Sequence, residues 1–218
     1  TADGKSIQRP IIPKAYRLPK APPLKLDGKL GGWPAAARLP QWMLGCSIGE
    51  PQANIYLAWA KEGLYGAVEV HDSQLITADP RSFWNGDCLE IFVDTSDDKR
   101  HREYQVGDHQ FWFVPLVNEN RVYAGRWKNK NEIPATQYDI PGLKSAAVRA
   151  GDGYVMEFLL PAAELQKYRP ETGARLGLSV NLTVKGKRFA REVYWPWTKA
   201  DWALANWPKM WGSLELVE

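Results

Sequence analysis

A short segment near the middle of the chain, FWNGDCLEIFVDT (residues 83–95), places an indole and three carboxylates around an Asn-Gly dipeptide. The dipeptide predicts a tight turn, with Trp84 on its entry side. Asp87, Glu90 and Asp94 follow along a segment that is typical of a β-strand. Three kinds of site use such a combination: a catalytic site with paired carboxylates, a metal site, or a site that holds a sugar ring.

Strand alternation sorts the side chains of this segment. Leu89, Ile91 and Val93 share one face, which we expect to point into a hydrophobic core. Glu90 then lies on the opposite face, toward whatever covers the sheet, and Trp84 could lean over the same surface. The alternative is that Trp84 caps the core and Glu90 is a solvated strand residue. Alternation alone favours this alternative.

The rest of the chain contains many short segments that favour β-strands. They are rich in β-branched and aromatic residues, and Gly, Asp and Asn lie between them. This pattern predicts an all-β fold, an antiparallel β-sandwich with one or two short helices. The clear helix candidate is PAAELQKY (161–168), with proline in its first turn. The predicted strands cover residues 53–60, 63–70, 88–95, 110–117, 121–127, 145–150, 154–161, 175–184, 191–197 and 213–217.

The N-terminal segment differs in composition from the rest. Residues 1–23 are basic and rich in proline, so we predict an extension, a linker or a strap across the domain, and residues 24–218 are predicted to form the sandwich. Six of the 28 Lys and Arg side chains lie in residues 1–25 beside a single acidic one, so the globular part is close to neutral. A groove that tracks phosphates needs clustered basic side chains, and we predict no nucleic-acid partner.

The hydropathy pattern and the two cysteines bear on where in or outside the cell the protein works. No apolar run approaches the roughly 18 residues of a membrane span, and none is predicted. Cys46 and Cys88 lack the spacing of zinc ligands. They could pair in an oxidising compartment or be two small core residues in a reducing one. Both readings stay open, because a sequence does not give the Cα distance that a disulfide needs.

Tryptophan is unusually frequent, with 11 residues in 218. Some must lie in the core, because a large aromatic side chain is first of all a large area to bury. An exposed surface rich in tryptophan requires an explanation, and ligand binding is one. Flat indoles match the C–H faces of pyranose rings, while carboxylates and amides match their hydroxyl rims. Five tryptophans lie near the C-terminus: Trp195, Trp197, Trp202, Trp207 and Trp211, the last of which we expect to be structural.

Four segments together resemble carbohydrate-binding module family 9 and its relatives with a DOMON-like, jelly-roll-like β-sandwich. LDGKLGGWPAAA (26–37) is similar to the opening signature of that family, and WNGDCLEIFVD (84–94) carries Trp, Asp and Glu at the family's spacing. GYVMEFLLPAAEL (153–165) resembles its strand-to-helix segment, and WGSLELV (211–217) its closing strand. The likeness runs in order through roughly residues 24–218, which makes it more specific than any one motif.

The resemblance implies a sugar held between two tryptophans, with polar groups that fix its hydroxyls. Trp84 would be the first platform and Glu90 would accept hydrogen bonds from the sugar, while Asp87 would order the turn. The second platform falls in DWALANWPKMWG, where Trp202 is the first choice. Trp207 is the other candidate, and Asn206 would be a neighbouring polar contact.

One position departs from the family pattern. Members that grip a sugar end carry an arginine in the middle of the strand matching HQFWFVP, and Trp112 stands there in this chain. A tryptophan cannot make the paired hydrogen bonds of an arginine guanidinium. The substitution therefore casts doubt on recognition of sugar-chain ends in the way that those family members achieve it. Gln110 and Trp112 share one face of this strand. Gln110 is therefore a further candidate contact, and Trp112 either extends the stacking surface or fills space.

Two other classes of function remain as alternatives. Asp87 and Glu90 are three residues apart on a strand and point to opposite faces, which is poor geometry for a glycosidase pair. We therefore predict no enzyme, although the chain could be a fragment of a polysaccharide-degrading one. A haem-binding electron-transfer domain, known among DOMON-like relatives, would need an axial pair. Met43, Met156, Met210 and the three histidines are available for it, and nothing singles out a pair.

Calcium could accompany sugar binding. The acidic segment DTSDDKRHRE (94–103) offers the oxygen ligands that hard cations take, and members of the family often carry structural calcium. The commoner reading of such a run is a solvated turn. The candidate ligands are Asp94, Asp97 and Asp98, with Asp72 and Asp79 as nearby additions.

The sequence thus predicts a non-catalytic module that binds a polysaccharide or its oligosaccharides, without an organic cofactor. We expect it to be secreted, extracellular or at the cell surface, with the periplasm as a further option. A covalently linked enzyme that acts on glycosides is the expected partner domain.

Overall fold

The computed structural model describes residues 15–39, 45–46, 53–71, 74–99, 103–127, 136–185, 190–195 and 207–218. These residues form two β-sheets packed face to face, which confirms the predicted all-β sandwich. Within the described part of the chain, no helix has the length and hydropathy that crossing a bilayer requires.

The larger sheet carries the candidate site. Its strands run in the order β1-β13-β11-β5-β6-β7-β8, and β12 pairs with β11 and with the short β2. All pairs are antiparallel except β1 with β13, which run parallel. The strands are β1 (Tyr16–Pro19), β2 (Gly45–Cys46), β5 (Cys88–Asp94), β6 (Asp108–Leu116), β7 (Arg121–Trp127), β8 (Thr136–Tyr138), β11 (Arg175–Lys185), β12 (Ala190–Trp195) and β13 (Gly212–Val217).

The smaller sheet closes the other side of the core. It has four antiparallel strands in the order β3-β4-β10-β9. They are β3 (Ala53–Ala60), β4 (Gly63–Val70), β9 (Lys144–Ala150) and β10 (Gly153–Pro161).

The main core fills the space between the two sheets. Phe113 of β6 and Phe158 of β10 stack across it, with ring centroids 3.9 Å apart. Gly66 makes room for this contact, because a Cβ there would lie 2.2 Å from the Phe158 ring. The aliphatic side chains at 89, 91 and 93 of β5 are buried in the same cluster. Alternation along β5 therefore places the aliphatic face inward, as the sequence predicted.

A buried carboxylate joins two of the motifs that carried the family resemblance. Glu157 of β10 is fully buried on the outer face of the smaller sheet. Its Oε2 accepts hydrogen bonds from the backbone amides of Asp27 and Gly28, and its Oε1 accepts one from the Trp33 indole at 2.8 Å. Gly28 lies at φ +77° and a Cβ there would overlap Val148, so only glycine fits. Glu157 therefore holds the opening motif against the outer face of the smaller sheet.

The helix predicted over 161–168 is shorter and tighter than expected. Its residues contain a single 3₁₀ turn, Ala162–Glu164. Tertiary contacts draw the chain out of a helical path, since Glu164 pairs with the buried Arg126 at 2.7 Å and the backbone amide of Gln166 donates to His109 Nε2. The helical segments of the described residues are all 3₁₀ turns: Ala35–Ala37, Pro80–Asn85, Val117–Glu119, Ala162–Glu164 and Pro208–Met210.

The N-terminal segment contributes a strand that the sequence did not predict. Residues 16–19 form β1 at the edge of the larger sheet, and Lys20 bridges to Trp59 of β3. This part of the segment therefore runs against the sandwich. The division of the chain at residues 23 and 24 stays a prediction.

The cysteine question has a geometric answer. Cys46 in β2 pairs with Val193 in β12, which is separated by β11 from β5 and Cys88. Three strand spacings of about 4.8 Å place the two backbones roughly 14 Å apart, beyond the roughly 7 Å limit for a disulfide. Cys88 is a free, buried thiol, and burial raises its pKa well above the usual value.

Candidate functional site

The outer face of the larger sheet carries a polar row at mid-height. Asn181 of β11 lies opposite Glu90 of β5, and Glu90 lies opposite Trp112 of β6. Direct cross-strand partners share a face with Cβ atoms about 4.5–5.5 Å apart. Glu90 therefore lies between an amide and an indole, on the face away from the main core.

Two amides hold the Glu90 carboxylate in place. Gln110 Nε2 donates to Oε1 at 2.9 Å, and Asn181 Nδ2 donates to Oε2 at 3.1 Å. A carboxylate carries about four acceptor positions on its two oxygens. Glu90 is only partly buried. Its orientation is fixed by the two amides, and solvent reaches part of its side chain.

Gln110 links Glu90 to Tyr104 through its amide group. It is 5 % exposed, and while its Nε2 donates to Glu90, its Oε1 accepts a bond of 3.5 Å from the Tyr104 hydroxyl. Gln110 therefore orients Glu90, and its predicted contact with a ligand stays untested. Tyr104 is buried beside it, and burial with repulsion from Glu90 raises the Tyr104 pKa well above its usual value. That phenol stays protonated and remains a donor.

Trp84 stands on a short 3₁₀ turn, Pro80–Asn85, that rises from the sheet. Asp79 caps the turn, since its Oδ1 accepts from the backbone amide of Arg81 at 2.7 Å. The Trp84 side chain is 45 % exposed. Among the described residues it is the most exposed large apolar side chain, ahead of Met210 and Ile76.

The Asn-Gly dipeptide after Trp84 does not form the two-residue turn of its own that the sequence predicted, but ends the 3₁₀ turn. Gly86 ends the 3₁₀ turn in an extended conformation, at φ −139°. Glycine is required there by close approach, because a Cβ would lie 2.4 Å from the carbonyl oxygen of Ile76. Asp87 is fully buried, and its Oδ1 accepts from the Lys185 amide at 2.9 Å. Asp87 thus ties the exit of the turn to β11.

Trp112 lies beneath this turn. Its indole is 1 % exposed and stacks on Phe83 on one side and Tyr123 on the other. Of the two roles that the sequence allowed, filling space is the one observed. The Phe83 and Tyr123 rings pack on the Trp112 indole, and a direct ligand contact from Trp112 stays an untested prediction.

A second wall of aromatic residues lies at the other end of β5. Phe92, Tyr104 and Trp211 form a buried cluster, and Trp211 is 2 % exposed, so it is structural as predicted. The 3₁₀ turn Pro208–Met210 packs against β5 at this end, and Trp207 begins it, half-buried. Glu90 therefore lies between two aromatic walls. Trp202 and Asn206 lie outside the described residues.

Comparison with known proteins identifies the family. The model of the family described as carbohydrate family 9 binding domain-like matches residues 27–218. The chain belongs to this family. A search of curated proteins found no significant match.

Solved family 9 modules share the fold. The chain is similar to a carbohydrate-binding module family 9 structure from Caldicellulosiruptor kristjanssonii in complex with cellotriose, with a TM-score of 0.64, 19% identity and 93% of each chain covered. A family 9 module from the same organism in complex with glucose has a TM-score of 0.60 and 18% identity, covering 92% of this chain and 95% of that one. At these identities the likeness concerns the fold alone.

The three aspartates predicted as calcium ligands of this family 9 domain lie at the end of β5 and in the turn that follows it. Asp94 accepts backbone amides on both oxygens, from Ser96 and Asp97 on Oδ1 and from Asp98 on Oδ2, at 2.8–3.0 Å. Asp97 Oδ1 pairs with Lys99 at 2.7 Å, while Asp98 is exposed. In the described residues no three His, Cys, Asp or Glu side chains form a group that could hold a metal ion. The arrangement is a capped turn, and calcium stays an untested prediction.

Two of the residues available to the haem alternative, Met156 and His109, are buried and serve the fold. Met156 is fully buried in the main core, and His109 packs on Phe111 with its Nε2 accepting the Gln166 amide. Burial lowers the His109 pKa to about 4. Met43 and His101 lie outside the described residues.

Asn181 is the site residue that sequence reasoning missed. Strand alternation in RLGLSVNLTV places it on the polar face of β11, which is a weak signal. It is identified by the pairing of β11 with β5. The first residues of these two strands are 87 positions apart in the chain. Such a distant pairing is not encoded in local pattern.

Proposed function

We propose that this family 9 domain is a non-catalytic module that binds a polysaccharide or its oligosaccharides on the outer face of the larger sheet. Trp84 stacks on the C–H face of a sugar ring, and Glu90 accepts hydrogen bonds from its hydroxyls. The observation that carries the proposal is an exposed indole on the same face of the sheet as a carboxylate already oriented by two amides.

The physical fit to a sugar rests on both parts of this pair. An exposed indole offers a flat apolar plate, which matches the alternating C–H bonds on one side of a pyranose. A carboxylate that accepts from hydroxyls makes charge-assisted bonds, which are short and directional. Because Gln110 and Asn181 hold Glu90 before the ligand arrives, little side-chain order is lost on binding.

A second platform completes the proposed site. Trp202, with Asn206 as a polar neighbour, is proposed from the family resemblance. Trp207 remains the alternative, supported by its position at the start of the turn that packs against β5. Two plates would hold a ring from both faces, which explains why one short segment carries so many tryptophans.

The module is proposed to act as a tethered binder rather than as a catalyst. Asp87 is buried and bonded to the Lys185 amide, so it does not face Glu90 as a glycosidase partner would. Binding at a single shallow site is weak, and a covalent link to an enzyme that acts on glycosides raises its effective strength. Secretion, or display at the cell surface, would bring the module to such polymers.

A fluorescence titration of the wild-type chain tests this proposal. The panel comprises cello-, xylo-, manno- and laminari-oligosaccharides, each with calcium and with a chelator. Saturable quenching or a blue shift with one series is expected, and it would name the ligand class. No response to any series, together with no retention on insoluble glycans, would contradict the proposal. A chelator effect on the melting temperature or the affinity would establish a role for calcium.

A further inference from the structure

Trp84 is supported by a column of aromatic rings. Its indole meets the Phe83 ring edge to face, with centroids 5.1 Å apart and planes at 78°. The Phe83 ring lies parallel to the Trp112 indole, at 5.0 Å and 14°. The exposed plate therefore rests on a buried one through a single intermediate ring.

The column continues to the strand beyond. Trp112 lies parallel to Tyr123 of β7, at 5.7 Å and 22°. The guanidinium of Arg121 lies 5.5 Å from the Tyr123 ring centre, and Arg121 is paired with Glu119 at 2.7 Å. Parallel rings and a cation over a ring face are both attractive arrangements. Four rings and one cation thus form a continuous stack across β6 and β7.

This stack is separate from the main core. Phe83, Cys88, Trp112 and Val114 form a buried cluster of their own on the outer face of the larger sheet. Residues on that face do not contribute to closing the two sheets. The cluster instead packs against the turn that carries Trp84.

The backbone of that turn does not fix Trp84 by itself. The 3₁₀ turn Pro80–Asn85 is interrupted at Ser82, which has φ −135° and ψ 45°. The break falls directly before Phe83, so the orientation of the next two residues depends on what Phe83 rests on. A stack on a rigid indole supplies that restraint.

We propose that Phe83 and Trp112 are positioning residues that set the height and tilt of the Trp84 platform. The inference rests on the proposed function of Trp84 as a sugar plate. Trp112 touches no ligand in this account and acts through Phe83. A platform that is held in place before binding loses less order when the sugar arrives, and so binds it more tightly.

Substitutions at Trp112 test the proposal against a matched core control. Trp112→Leu removes the plate, and Trp112→Phe keeps a flat ring in case the leucine variant folds poorly. Trp59 is the control, because it is equally buried at 2 % exposure but lies in the main core. Affinity is measured with the oligosaccharide series that the wild type binds, at a temperature well below each melting point.

Trp112→Leu should weaken binding about tenfold, which corresponds to about 1.4 kcal/mol. Trp112→Phe should recover most of that loss. Trp59→Leu should lower the melting temperature and leave the affinity unchanged. Wild-type affinity in Trp112→Leu would overturn the proposal. An equal loss in Trp59→Leu would also overturn it, since the effect would then be general destabilisation.

A second measurement needs no ligand. The near-ultraviolet circular dichroism difference between wild type and Trp84→Ala reports how rigidly Trp84 is held. The same difference, measured in the Trp112→Leu background, should be much smaller. If the wild type binds no sugar, the proposed function fails, and this measurement alone decides the positioning role. An unchanged difference spectrum would overturn it.

Discussion

Replacing Glu90 with glutamine isolates the charge of the proposed polar contact. The side chain keeps its length and shape, and only the negative charge and one acceptor oxygen are lost. The amides of Gln110 and Asn181 surround it, and either can rotate to offer its carbonyl to the new NH₂ group. The fold should therefore tolerate the change, and its effect should fall on ligand binding.

The expected magnitude follows from the acceptor positions of the carboxylate. Gln110 and Asn181 each donate to one oxygen, and the proposal adds a bond from a sugar hydroxyl to this charged group. A hydrogen bond to a charged group contributes about 1.5–3 kcal/mol and a neutral one about 0.5–1.5 kcal/mol. Losing the charge therefore costs about 1–2 kcal/mol of binding free energy, which weakens affinity about 5- to 30-fold.

Isothermal titration calorimetry with the bound oligosaccharide measures this loss, and a second carboxylate provides the control. Glu69 of β4 also accepts from an amide, the Asn54 Nδ2 at 2.7 Å, but on the outer face of the smaller sheet. Glu69→Gln should bind as the wild type does. If Glu90→Gln also binds with wild-type affinity, the reasoning is refuted and Glu90 serves only the sheet.

Further predictions concern stability and the cysteines. Burial, with repulsion from neighbouring carboxylates, raises the pKa of Asp108 from 3.8 to about 7. The Asp108 contribution to the free energy of unfolding therefore falls as pH rises from about 4 to about 7. Asp108→Asn should remove this fall between pH 5 and pH 8 in denaturant melts, and a fall that persists would contradict the assignment. Glu157→Ala leaves three donors without their acceptor and should cost at least about 3 kcal/mol of unfolding free energy; a loss below about 1 kcal/mol would show that water replaces the carboxylate. Cys46 and Cys88 should titrate as two free thiols in denatured protein that has never been reduced, and one blocked pair would contradict the strand pairing.

The sequence predicted the strands well because each carries its own signal. Residues 53–60, 63–70 and 121–127 form strands with the predicted bounds, since β-branched and aromatic runs there end at clear turn residues. Alternation in β5 also predicted correctly that Leu89 and its neighbours face the core. These properties are local, and a local pattern is sufficient to specify them.

The misses share a non-local cause. β1 has only four residues and forms by pairing with β13 at the far end of the chain, so its own pattern is weak. The helix predicted after β10 is reduced to one turn by the Arg126–Glu164 pair, which no local pattern shows. Gly86 was predicted to form a tight turn with Asn85. The structure instead requires glycine there because the Ile76 carbonyl lies too close for a Cβ atom.

At the candidate site, residue types were easier to predict than their roles. Trp84 and Glu90 were identified from the motif, and the structure places them on one face with Trp84 exposed. Gln110 and Trp112 were predicted as contacts; Gln110 donates to Glu90, and Trp112 stacks under Phe83, the neighbour of Trp84. A sequence shows that a residue lies on the site face, but only packing shows which side chains cover it.

The central claim is that Trp84 is a ligand platform, and the affinity of Trp84→Ala tests it most directly. Met210→Ala is the matched control, because Met210 is 39 % exposed and Trp84 45 %. Titration with the oligosaccharide bound by the wild type should show no binding by Trp84→Ala, an unchanged affinity for Met210→Ala, and similar melting temperatures for all three proteins. Binding by Trp84→Ala at wild-type affinity, or unfolding of that variant, would show that Trp84 belongs to the core and would contradict the account.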